Sequence, residues 1–512
     1  MRADTGTTAK AAKETKTAKE TKEEVATKEE VATEEGMAAR AYRWRWAALA
    51  VLLAAEAMNV LDSTIVQVAA PVIQADLGGA ESDIQWFGAA YTLPFALLLV
   101  TGGRLGDVAG RRRVFVVGVA GFALASLSCA AASSAGVLIA ARAVQGAAAA
   151  LIIPQTIGLI RAMFDGHELA KALGWNGPVV GLSAVCGPVL GAVLTHADVL
   201  GSSWRAVFLV NLPLAAAVLA GAPLLREDRA ARPVRLDLPG TGLAVLGTGL
   251  LVYPLIEGDP AGRPLWRWGS MAVGVVVLVA FGRHQRHSAR RGRSPLVEPS
   301  LFQGRGFPAA LATSTLFFAV MNGLMLVVVA HAQVGLGRDV LTAGLTLLPW
   351  SGGLALSSWV AGAYLVPRHG SRVMFAGLAA LLAGTLAAIA VYPAVRPTGW
   401  PWPLLGALAV SGVGLGLFTV PFFTAALSRV RPQETGSAAG LLNAVQQLGA
   451  TLGIALLGTV FFHGLAPAAG PRAAAEAARH ALWVAVGLIA AATMTATLMR
   501  GPDAEPERAA SA

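Results

Sequence analysis

Residues 102–113 read GGRLGDVAGRRR, and this stretch is the most specific local pattern in the chain. It lies between two long apolar runs. Gly103 permits two helices to pack closely, and Gly110 permits the chain to turn. Asp107 can accept hydrogen bonds at a helix N-terminus, where a negative charge is favoured. The pattern therefore predicts a short charged turn between two membrane-spanning helices.

Three arginines, Arg111 to Arg113, end this turn. Positive residues anchor membrane-protein loops at the cytoplasmic surface, so anchoring alone accounts for the arginines but not for Gly103 and Asp107. A cluster of this kind can hold two halves of a protein together in one conformation and release them in another. We predict a conformational latch formed by Gly103, Asp107, Gly110, Arg111 and Arg112.

On both sides of the turn the chain consists mostly of apolar runs. Of its 512 residues, 55% are hydrophobic and 14% are charged, whereas soluble domains average about 25% charged residues. Each run approaches the ~20 residues that a helix needs to cross a bilayer. The runs lie near 46–69, 86–105, 114–132, 137–160, 172–196, 205–225, 238–257, 267–282, 307–330, 341–363, 373–392, 403–425, 438–462 and 480–499. We predict an all-α membrane protein of about fourteen helices, with a re-entrant hairpin at 238–282 as an alternative to two spans.

The loops carry their positive charges unevenly. Those on the side of the N-terminus hold about 20 Arg and Lys residues, and those on the other side hold about 7. The positive-inside rule then places both termini in the cytoplasm and the chain in the cytoplasmic (inner) membrane of a bacterium. This distribution accounts for the net charge of +10 without a nucleic-acid partner.

The two ends of the chain have the composition of disordered segments. Residues 1–36 are a low-complexity tail rich in Lys and Glu, in which Val25 and Val31 alone cannot bury a face. Polar segments of this kind bury too little apolar surface to fold. We predict disordered cytoplasmic tails at 1–36 and 500–512, with a partner-binding helix in the first tail as the alternative.

Charged side chains inside the apolar runs are functional candidates, because burying one in a membrane costs about 2.5–3.5 kcal/mol on insertion scales. Asp62 lies deep in the first run, and a carboxylate in such a place can take up a proton. Arg142 in the fourth run can hold a carboxylate ionised until a proton or substrate arrives, and Gln145 follows on the same face. We predict that Asp62, Arg142 and Gln145 couple proton movement, with a static structural role as the alternative.

Other polar residues in the apolar runs can line a cavity between helices. Glu56 lies on a different helix face from Asp62, where it can line the cavity or pair with a cationic substrate. The polar residues of the second half are equally well explained as hydrogen bonds between packed helices. The predicted substrate-cavity residues are Glu56, Asn59, Asn322, His331, Gln333 and Gln446.

Within the fifth run, residues 174–194 read GWNGPVVGLSAVCGPVLGAVL, which places Gly187 and Pro188 inside an apolar helix. Proline removes a backbone hydrogen bond and kinks a helix, and the surrounding small residues permit tight packing. We predict a hinge or seal between two halves of the protein, formed by Gly174, Gly187, Pro188 and Gly191.

These motifs resemble those of the major facilitator superfamily, in its fourteen-span branch of drug–proton antiporters, over about residues 46–499. The latch matches the family's turn between spans two and three, although Val108 replaces the usual Arg. Arg142 and Gln145 match the fourth-span motif implicated in proton coupling, and the fifth run matches the antiporter motif. The first-span match is carried by Leu61, Asp62, Thr64, Ile65, Val66, Ala69 and Pro71, and the sixth-span match by Trp204, Arg205, Phe208, Asn211 and Pro213.

The second half of the chain carries weaker matches. GSAAGLLNAVQQLGATLG at 436–453 is similar to span thirteen of this branch. GAYLVPRHGSR at 362–372 is a degraded copy of the latch, in which Gly370 and Arg372 persist and Pro367 replaces Asp. Weak internal symmetry of this kind fits a protein built from two similar halves.

The resemblance implies the major facilitator fold, with two six-helix bundles around a central cavity and two extra helices between them. The implied units are a first bundle at 46–225, an extra transmembrane pair at 238–282, a basic cytoplasmic loop at 283–306 and a second bundle at 307–499. A monomer is expected.

The resemblance also implies that the protein works by alternating access, exporting small amphipathic drugs or antibiotics in exchange for protons. Acidic cavity residues would tolerate cationic substrates. The proton gradient is the energy source, with no cofactor and no metal. Two alternatives stay open: a proton-coupled exporter or symporter of a specific metabolite, and a non-transporting membrane sensor or scaffold. The antiporter motif argues against import, and the intramembrane charges argue against a sensor.

An enzyme is not expected, because the sequence has no metal-ligand cluster and no nucleotide-binding glycine loop, and its eight histidines are scattered. The two cysteines, Cys129 and Cys186, lie inside apolar runs. We interpret them as small buried apolar residues rather than as a disulfide or a metal pair.

Overall fold

The computed structural model describes residues 42–198, 201–229, 236–257, 264–291, 293, 295–395, 400–428, 430, 435–465 and 470–499. The tails predicted at 1–36 and 500–512 lie outside these residues. Within the described ranges all regular structure is helical, and fourteen helices are long and apolar enough to cross a membrane. The prediction of an all-α membrane protein is confirmed.

Six helices form the first bundle, in which α2 and α3 pack against α4, and α1 packs against α5. Their bounds are α1 Arg45–Leu77, α2 Glu81–Ala109, α3 Arg111–Ala130, α4 Ala135–Met163, α5 Lys171–His196 and α6 Ser203–Leu224. Gly78 ends α1 with φ +65°, a left-handed conformation that glycine adopts at helix ends. Ser134 caps α4 by accepting a hydrogen bond from the Val137 N–H, which satisfies one of the free donors of the first turn.

Two further helices follow, α7 Leu238–Glu257 and α8 Leu265–Arg290. Each is long enough to cross a membrane, which favours two spans over the re-entrant hairpin. α8 continues through residues 283–290, which we predicted as part of the loop at 283–306. The helix extends because its last turns are rich in arginine, a good helix former. The loop therefore begins later than expected.

The second bundle contains the last six spans, in which α9 packs against α13 and α14, and α12 packs against α10 and α11. Their bounds are α9 Gly306–Gly335, α10 Val340–His369, α11 Arg372–Ala394, α12 Trp402–Leu427, α13 Ala438–His463 and α14 Pro471–Leu498. Because spans alternate in direction, residues 42 and 499 lie at the same end of the molecule, here called the near end. The far end includes the α1–α2 turn at 78–80 and the α9–α10 turn at 336–339.

The two bundles meet along α2 and α13, along α5 and α10, and along α1 and α9. Thr92 Oγ1 and Thr451 Oγ1 are 2.7 Å apart across the first of these seams. Gly344 of α10 faces α5, where an added Cβ would lie 2.3 Å from Ala192 Cβ. These contacts lie in the middle or in the far half of the helices.

Toward the near end the bundles are packed less closely. The near half of the first bundle has its own apolar core, which includes Leu49, Phe95 and Phe115. Among the described residues, Ala444 is the one member of this core that comes from the second bundle. A larger core runs continuously through the far half of the first bundle and the second bundle. The interface is therefore closed at the far end.

The extra pair covers one of these seams. α7 packs against both α2 and α13, whereas α8 packs mainly against α7. Trp86 Nε1 donates to Glu257 Oε2 at 2.9 Å, and Thr459 Oγ1 donates to Leu255 O at 2.6 Å. α7 thus contacts both bundles at the far end, while α8 leaves apolar side chains such as Trp268 exposed for lipid.

Asp237 joins α7 and α8 at the near end. Its carboxylate lies 2.8 Å from His284 Nε2 and accepts hydrogen bonds from Gln285 Nε2 and from the Gly240 N–H. Burial raises the pKa of Asp237, but the hydrogen bonds with His284, Gln285 and Gly240 outweigh it and hold the pKa below its ordinary value. Gln285 Oε1 also accepts from the Val297 N–H at 3.2 Å, which ties the pair to the segment leading to α9.

Candidate functional site

Asp62 is the centre of a buried polar network in the first bundle. It lies in the middle of α1, and its side chain is 0% exposed. Its Oδ2 is 2.5 Å from Arg142 Nη1, and its Oδ1 accepts hydrogen bonds from Gln145 Nε2 at 2.9 Å and from Asn211 Nδ2 at 2.7 Å. The structure therefore brings the three predicted proton-coupling residues together, and it adds Asn211 from α6.

Arg142 reaches its partners from α4 with a side chain that is 1% exposed. Its Nε donates to Phe87 O at 3.0 Å, and its Nη1 also donates to Gln145 Oε1 at 2.7 Å. The guanidinium carbon lies 4.3 Å from the centre of the Tyr91 ring, a distance at which a cation is attracted by an aromatic face. The buried cation is thus compensated by a carboxylate, two oxygen acceptors and an aromatic ring.

Three polar side chains of this network were not predicted as site residues from the sequence. Ser126 of α3 accepts hydrogen bonds from Gln145 and Asn211, and the Tyr91 hydroxyl of α2 donates to Asn59 Oδ1. Asn211 was named only as part of the sixth-span match, and that match was the available signal. Ser126 and Tyr91 lie singly in apolar runs, so only the packing of α2 and α3 against α4 reveals them.

The charge state of Asp62 decides whether the buried charge of Arg142 is compensated. Ionised Asp62 and Arg142 neutralise each other inside the bundle. A proton bound to Asp62 would leave Arg142 as an uncompensated cation, and breaking a buried pair by removing one charge typically costs about 3–5 kcal/mol. Movement of α1 against α4, or entry of water, can relieve that cost. The arrangement can therefore couple proton binding to a change in helix packing.

Glu56 lies near the Tyr91 end of the network, within range of an electrostatic interaction with Tyr91. It shares a face of α1 with Gln67, since eleven residues correspond to about three full helical turns. Gln67 Nε2 donates to Asn322 Oδ1 of the second bundle at 3.2 Å, so this face of α1 points toward the second bundle. Glu56 is half-buried and forms no hydrogen bond or ion pair with any residue in the described ranges. It therefore lies where the two bundles separate toward the near end.

The other predicted cavity residues have different environments. Asn322 and Gln333 lie on the interface between the bundles, and Gln333 Nε2 donates to Val68 O of α1 at 2.8 Å. Gln446 is half-buried on α13. These placements are compatible with an interface that opens, but the described contacts of Asn322 and Gln333 are hydrogen bonds between helices.

Asn59 and His331 lie elsewhere than we predicted. Asn59 is buried within the first bundle, where it accepts the hydrogen bond from Tyr91. His331 is buried in a pocket lined by residues of the second bundle and its turns, including Val328, Leu336 and Leu404. In both cases the helix turns the polar side chain into its own bundle, a rotation that residue type alone does not determine.

The predicted latch forms a tight turn at the near end. Gly110 has φ +102°, a conformation that disfavours other residues, and an added Cβ would lie 2.7 Å from Glu227 Oε1. Asp107 accepts hydrogen bonds from the Arg111 side chain, with Arg111 Nη2 at 2.8 Å, rather than from backbone N–H groups as expected. Arg111 Nε also lies 3.4 Å from Asp228 Oδ2.

These contacts change the interpretation of the latch. The Arg112 N–H donates to Glu227 Oε1 at 3.0 Å, and Gly103 faces Pro154 of α4. Glu227 and Asp228 follow α6 in the chain, so these partners hold the latch to the segment that leaves the first bundle. In this conformation these contacts do not join the latch to a helix of the second bundle.

The predicted hinge residues lie on α5 against α1. At Gly187 an added Cβ would lie 1.8 Å from Thr64 Oγ1, and at Gly191 it would lie 2.8 Å from Ile65 O. Pro188 is buried in the same helix, and its carbonyl oxygen lies beside Gly344 of α10. At this level α5 therefore packs closely on α1 of its own bundle and on α10 of the second bundle, as a seal between the bundles requires.

Two other expectations for this helix are only partly met. Gly174 faces no neighbour within 4 Å and lies where a short helix, Gly166–Gly174, ends before α5 continues at Asn176. Cys186, which we interpreted as buried, is exposed, because it shares a face with the exposed Leu182 and Val193. Cys129 is buried as expected.

The sequence profile of the Major Facilitator Superfamily matches residues 52–454, and the chain belongs to this family. The protein is therefore a multi-pass membrane transporter rather than an enzyme. The resemblance that the latch, α4 and α5 motifs suggested is confirmed.

Curated relatives carry names that refer to antibiotics. The chain is 45% identical over 423 residues to the "Probable actinorhodin transporter" of Streptomyces coelicolor, covering 82% of this chain and 73% of that protein. It is 36% identical over 462 residues to the "Puromycin resistance protein pur8" of Streptomyces alboniger, covering 87% and 89%. It is 32% identical over 425 residues to the "Tetracenomycin C resistance and export protein" of Streptomyces glaucescens, covering 81% and 76%.

Solved structures share the fold at low sequence identity. A bacterial homologue of the lysosomal transporter Spinster superposes with a TM-score of 0.62 at 16% identity, covering 90% of this chain and 97% of that one. A POT family transporter crystallised with 5-aminolevulinic acid superposes with a TM-score of 0.63 at 12% identity, covering 88% and 96%. At this identity the likeness concerns the fold alone.

Proposed function

We propose that this transporter exports small amphipathic compounds of the antibiotic class from the cytoplasm in exchange for protons. The observation that carries the proposal is the buried ion pair of Asp62 and Arg142, which Gln145 and Asn211 complete. Three relatives named for antibiotic transport, resistance or export support the substrate class.

Asp62 would be the proton carrier of the exchange. Its protonation removes one half of a buried ion pair, so the protonated and ionised forms favour different arrangements of α1 and α4. A proton that enters down a potential of 100 mV contributes about 2.3 kcal/mol per charge moved. One or two protons per cycle therefore supply enough free energy to concentrate a substrate outside.

The conformation supports a particular direction of access. The bundles are in contact at the far end and are packed less closely at the near end. The excess of positive charge in the near-end loops supports a cytoplasmic position for that end, by the positive-inside rule. Substrate would then enter between the bundles from the cytoplasm or the inner leaflet, and the far-end contacts would open to release it outside.

Glu56 indicates the charge of the preferred substrate. It is an acidic residue on the α1 face directed toward the second bundle, near Tyr91, and it forms no hydrogen bond or ion pair with another described residue. A carboxylate in such a place is costly to bury alone, and a cationic amine would compensate it. We therefore expect lipophilic cations to be better substrates than neutral compounds of the same size.

The test is transport by the purified full-length chain in liposomes with no nucleotide present. An imposed pH gradient, acidic inside, should drive accumulation of a fluorescent lipophilic cation in vesicles, and a protonophore should abolish the accumulation. Movement of substrate in the same direction as the proton would instead identify a symporter. No movement of any compound from an antibiotic panel, despite correct folding, would contradict drug transport.

The cation preference has its own test. Glu56→Gln should lower the transport rate of a lipophilic cation and leave that of a neutral analogue nearly unchanged. Glu168→Gln is the matched control, because Glu168 is a partly exposed glutamate at the near end that pairs with Arg45, and surface pairs contribute about 0–1 kcal/mol. Equal loss for both substrates would show that Glu56 acts through structure rather than charge.

A further inference from the structure

The far end of α9 departs from ordinary helix geometry at His331–Gly335. These five residues form a π-helical turn, in which the Leu336 N–H donates to His331 O at 2.9 Å. The turn lies at the C-terminus of the helix, where π-turns occur in many proteins. In the described part of the chain, this turn carries two polar side chains, His331 and Gln333, which contact different bundles.

Gln333 holds the two bundles together at the far end. Its Nε2 donates to Val68 O of α1 at 2.8 Å, and the next residues of α9 pack against α14, where an added Cβ on Gly335 would lie 2.8 Å from Ala474 Cβ. His331 and Gln333 belong to the same π-turn, which sets the direction of both side chains relative to the preceding helix. A movement of the turn at His331 therefore also moves Gln333.

His331 is buried in the second bundle with an unfilled hydrogen-bonding group. The side chain is 1% exposed, and its ring meets the Tyr392 ring edge-to-face with centroids 4.7 Å apart. Neither His331 Nε2 nor the Tyr392 hydroxyl has a hydrogen-bond partner among the described residues. The adjoining pocket has about 10 Å³ of space for the centre of a water molecule, close to the room one water needs.

Polar and charged groups from several elements lie around His331. Arg338 lines the same pocket from the α9–α10 turn, and Tyr392 faces the ring from the end of α11. From α10, Thr342 and Thr346 contribute hydroxyls. Asp339 accepts two hydrogen bonds from Thr342. On α14, the titratable residues Glu476, Arg479 and His480 line a different pocket.

We propose that His331 is a second proton-binding site, separate from Asp62, that controls whether the far end of the interface opens. A proton from water on the far side forms an N–H bond at Nε2 and makes His331 a cation. A buried cation is costly unless it is hydrated, so the protonated form favours an open far end. Opening moves the π-turn and withdraws Gln333 from Val68.

This inference rests on the proposed alternating access, but its test measures conformation rather than transport. Cysteines for spin labels replace Ala80 and Arg472, two exposed residues at the far end, one on each bundle. Cys186→Ser removes the exposed native thiol, whereas Cys129 is buried. Asp62→Asn removes the first proton site. Distances between the labels are then measured from pH 8 to pH 5 on the full chain in detergent.

The expected result is a long-distance population that grows as the pH falls, by at most about tenfold per pH unit, the limit for one proton. His331→Gln, which retains a hydrogen-bonding side chain but cannot become a cation, should abolish this dependence. His463→Gln is the matched control, because His463 is an exposed histidine at the far end of the same bundle, and it should leave the dependence unchanged. Gln333→Met should raise the open population at every pH and keep the slope.

Two results would overturn the proposal. One is a pH dependence that persists in His331→Gln. The other is the absence of any dependence in the labelled Asp62→Asn protein with His331 intact, which decides the question even if His331→Gln fails to fold. The readout is the distance between the labels and not transport. The measurement can therefore support or contradict the role of His331 even if the chain transports no drug in liposomes.

Discussion

The two bundles share a fold but differ in the chemistry of their interiors. The first bundle buries the Asp62–Arg142 ion pair within a network of amide, hydroxyl and aromatic side chains. The second bundle is held by apolar contacts, among them the stacked rings of Phe317 and Phe418, whose centroids are 3.8 Å apart. No ion pair occurs within the described spans of the second bundle. The fold therefore does not require a buried charge, and its presence in the first bundle indicates a function.

The near-end turns of the two bundles show the same difference at smaller scale. Gly110 and Gly370 occupy corresponding positions, and both have positive φ. In the first bundle Asp107 pairs with Arg111, whereas Pro367 in the second bundle provides no acceptor side chain. A glycine with positive φ is thus retained at both turns, while the charged contact is present only in the first.

The largest expected effect comes from removing the negative charge of Asp62 in the first bundle. Asp62→Asn keeps the shape of the side chain and one acceptor oxygen, but it cannot accept from Arg142 with its amide nitrogen and cannot carry a proton, so pH-driven transport in liposomes should fall to the level without protein. Asp76→Asn is the matched control on the same helix, because Asp76 is exposed and pairs with Arg205 at the far end. Full pH-driven transport by Asp62→Asn would remove Asp62 from the exchange and leave the ion pair a structural feature.

The next effect concerns stability. Arg142→Gln leaves the Asp62 carboxylate buried without its cation, and the free energy of unfolding should fall by about 3–5 kcal/mol. Combining it with Asp62→Asn should restore most of that stability without restoring transport, since both charges are then absent. Thermal unfolding of the single and double variants in detergent measures this. A double variant as unstable as Arg142→Gln alone would show that the arginine stabilises α4 by packing rather than by charge.

A smaller effect is expected where α5 packs on α1. Gly187→Ala places a methyl group where Thr64 Oγ1 now lies, and overpacking of this kind costs about 1–3 kcal/mol. Gly181→Ala is the control on the same helix, because its added methyl meets no atom within 4 Å and alanine favours a helix more than glycine. We expect slower transport and lower thermal stability for the first variant only. Equal behaviour of both would mean that the α1–α5 contact is loose enough to adapt.

The smallest expected effect tests the seam between the bundles. Thr451→Val removes the hydroxyl that meets Thr92 across α2 and α13, and a hydrogen bond contributes about 0.5–1.5 kcal/mol. The far end should open more often, by about two- to tenfold, as measured by the distance between labels at Ala80 and Arg472. Thr385→Val is the control, since its hydroxyl donates to Leu381 O of its own helix. An unchanged distance distribution would place the closing contacts elsewhere on the interface.

The sequence made much of the fold predictable. Membrane spans are visible in composition, because a helix that crosses a bilayer must be apolar over about 20 residues, and all fourteen described spans coincide with predicted runs. Span ends were less predictable. α8 continues to Arg290, because arginines that mark a membrane surface are also good helix formers.

The site was predictable only in part, and the reason is the same for each residue. Asp62, Arg142 and Gln145 could be named because a charge or an amide is conspicuous in an apolar run and because they match a family motif. Ser126 and Tyr91 could not be named, since a hydroxyl in such a run is common and its partner lies on another helix.

The sequence by itself determined that this protein spans a membrane many times, which family it resembles and which residues carry its buried charges. These properties depend on residue type and on spacing along one helix, which the chain encodes locally. Only the tertiary structure decided that Asp62 meets Arg142 and Asn211, that the latch contacts Glu227 and Asp228, and that His331 turns into the second bundle. Those contacts join helices far apart in the chain, and their rotation and depth follow from how all the side chains between them pack.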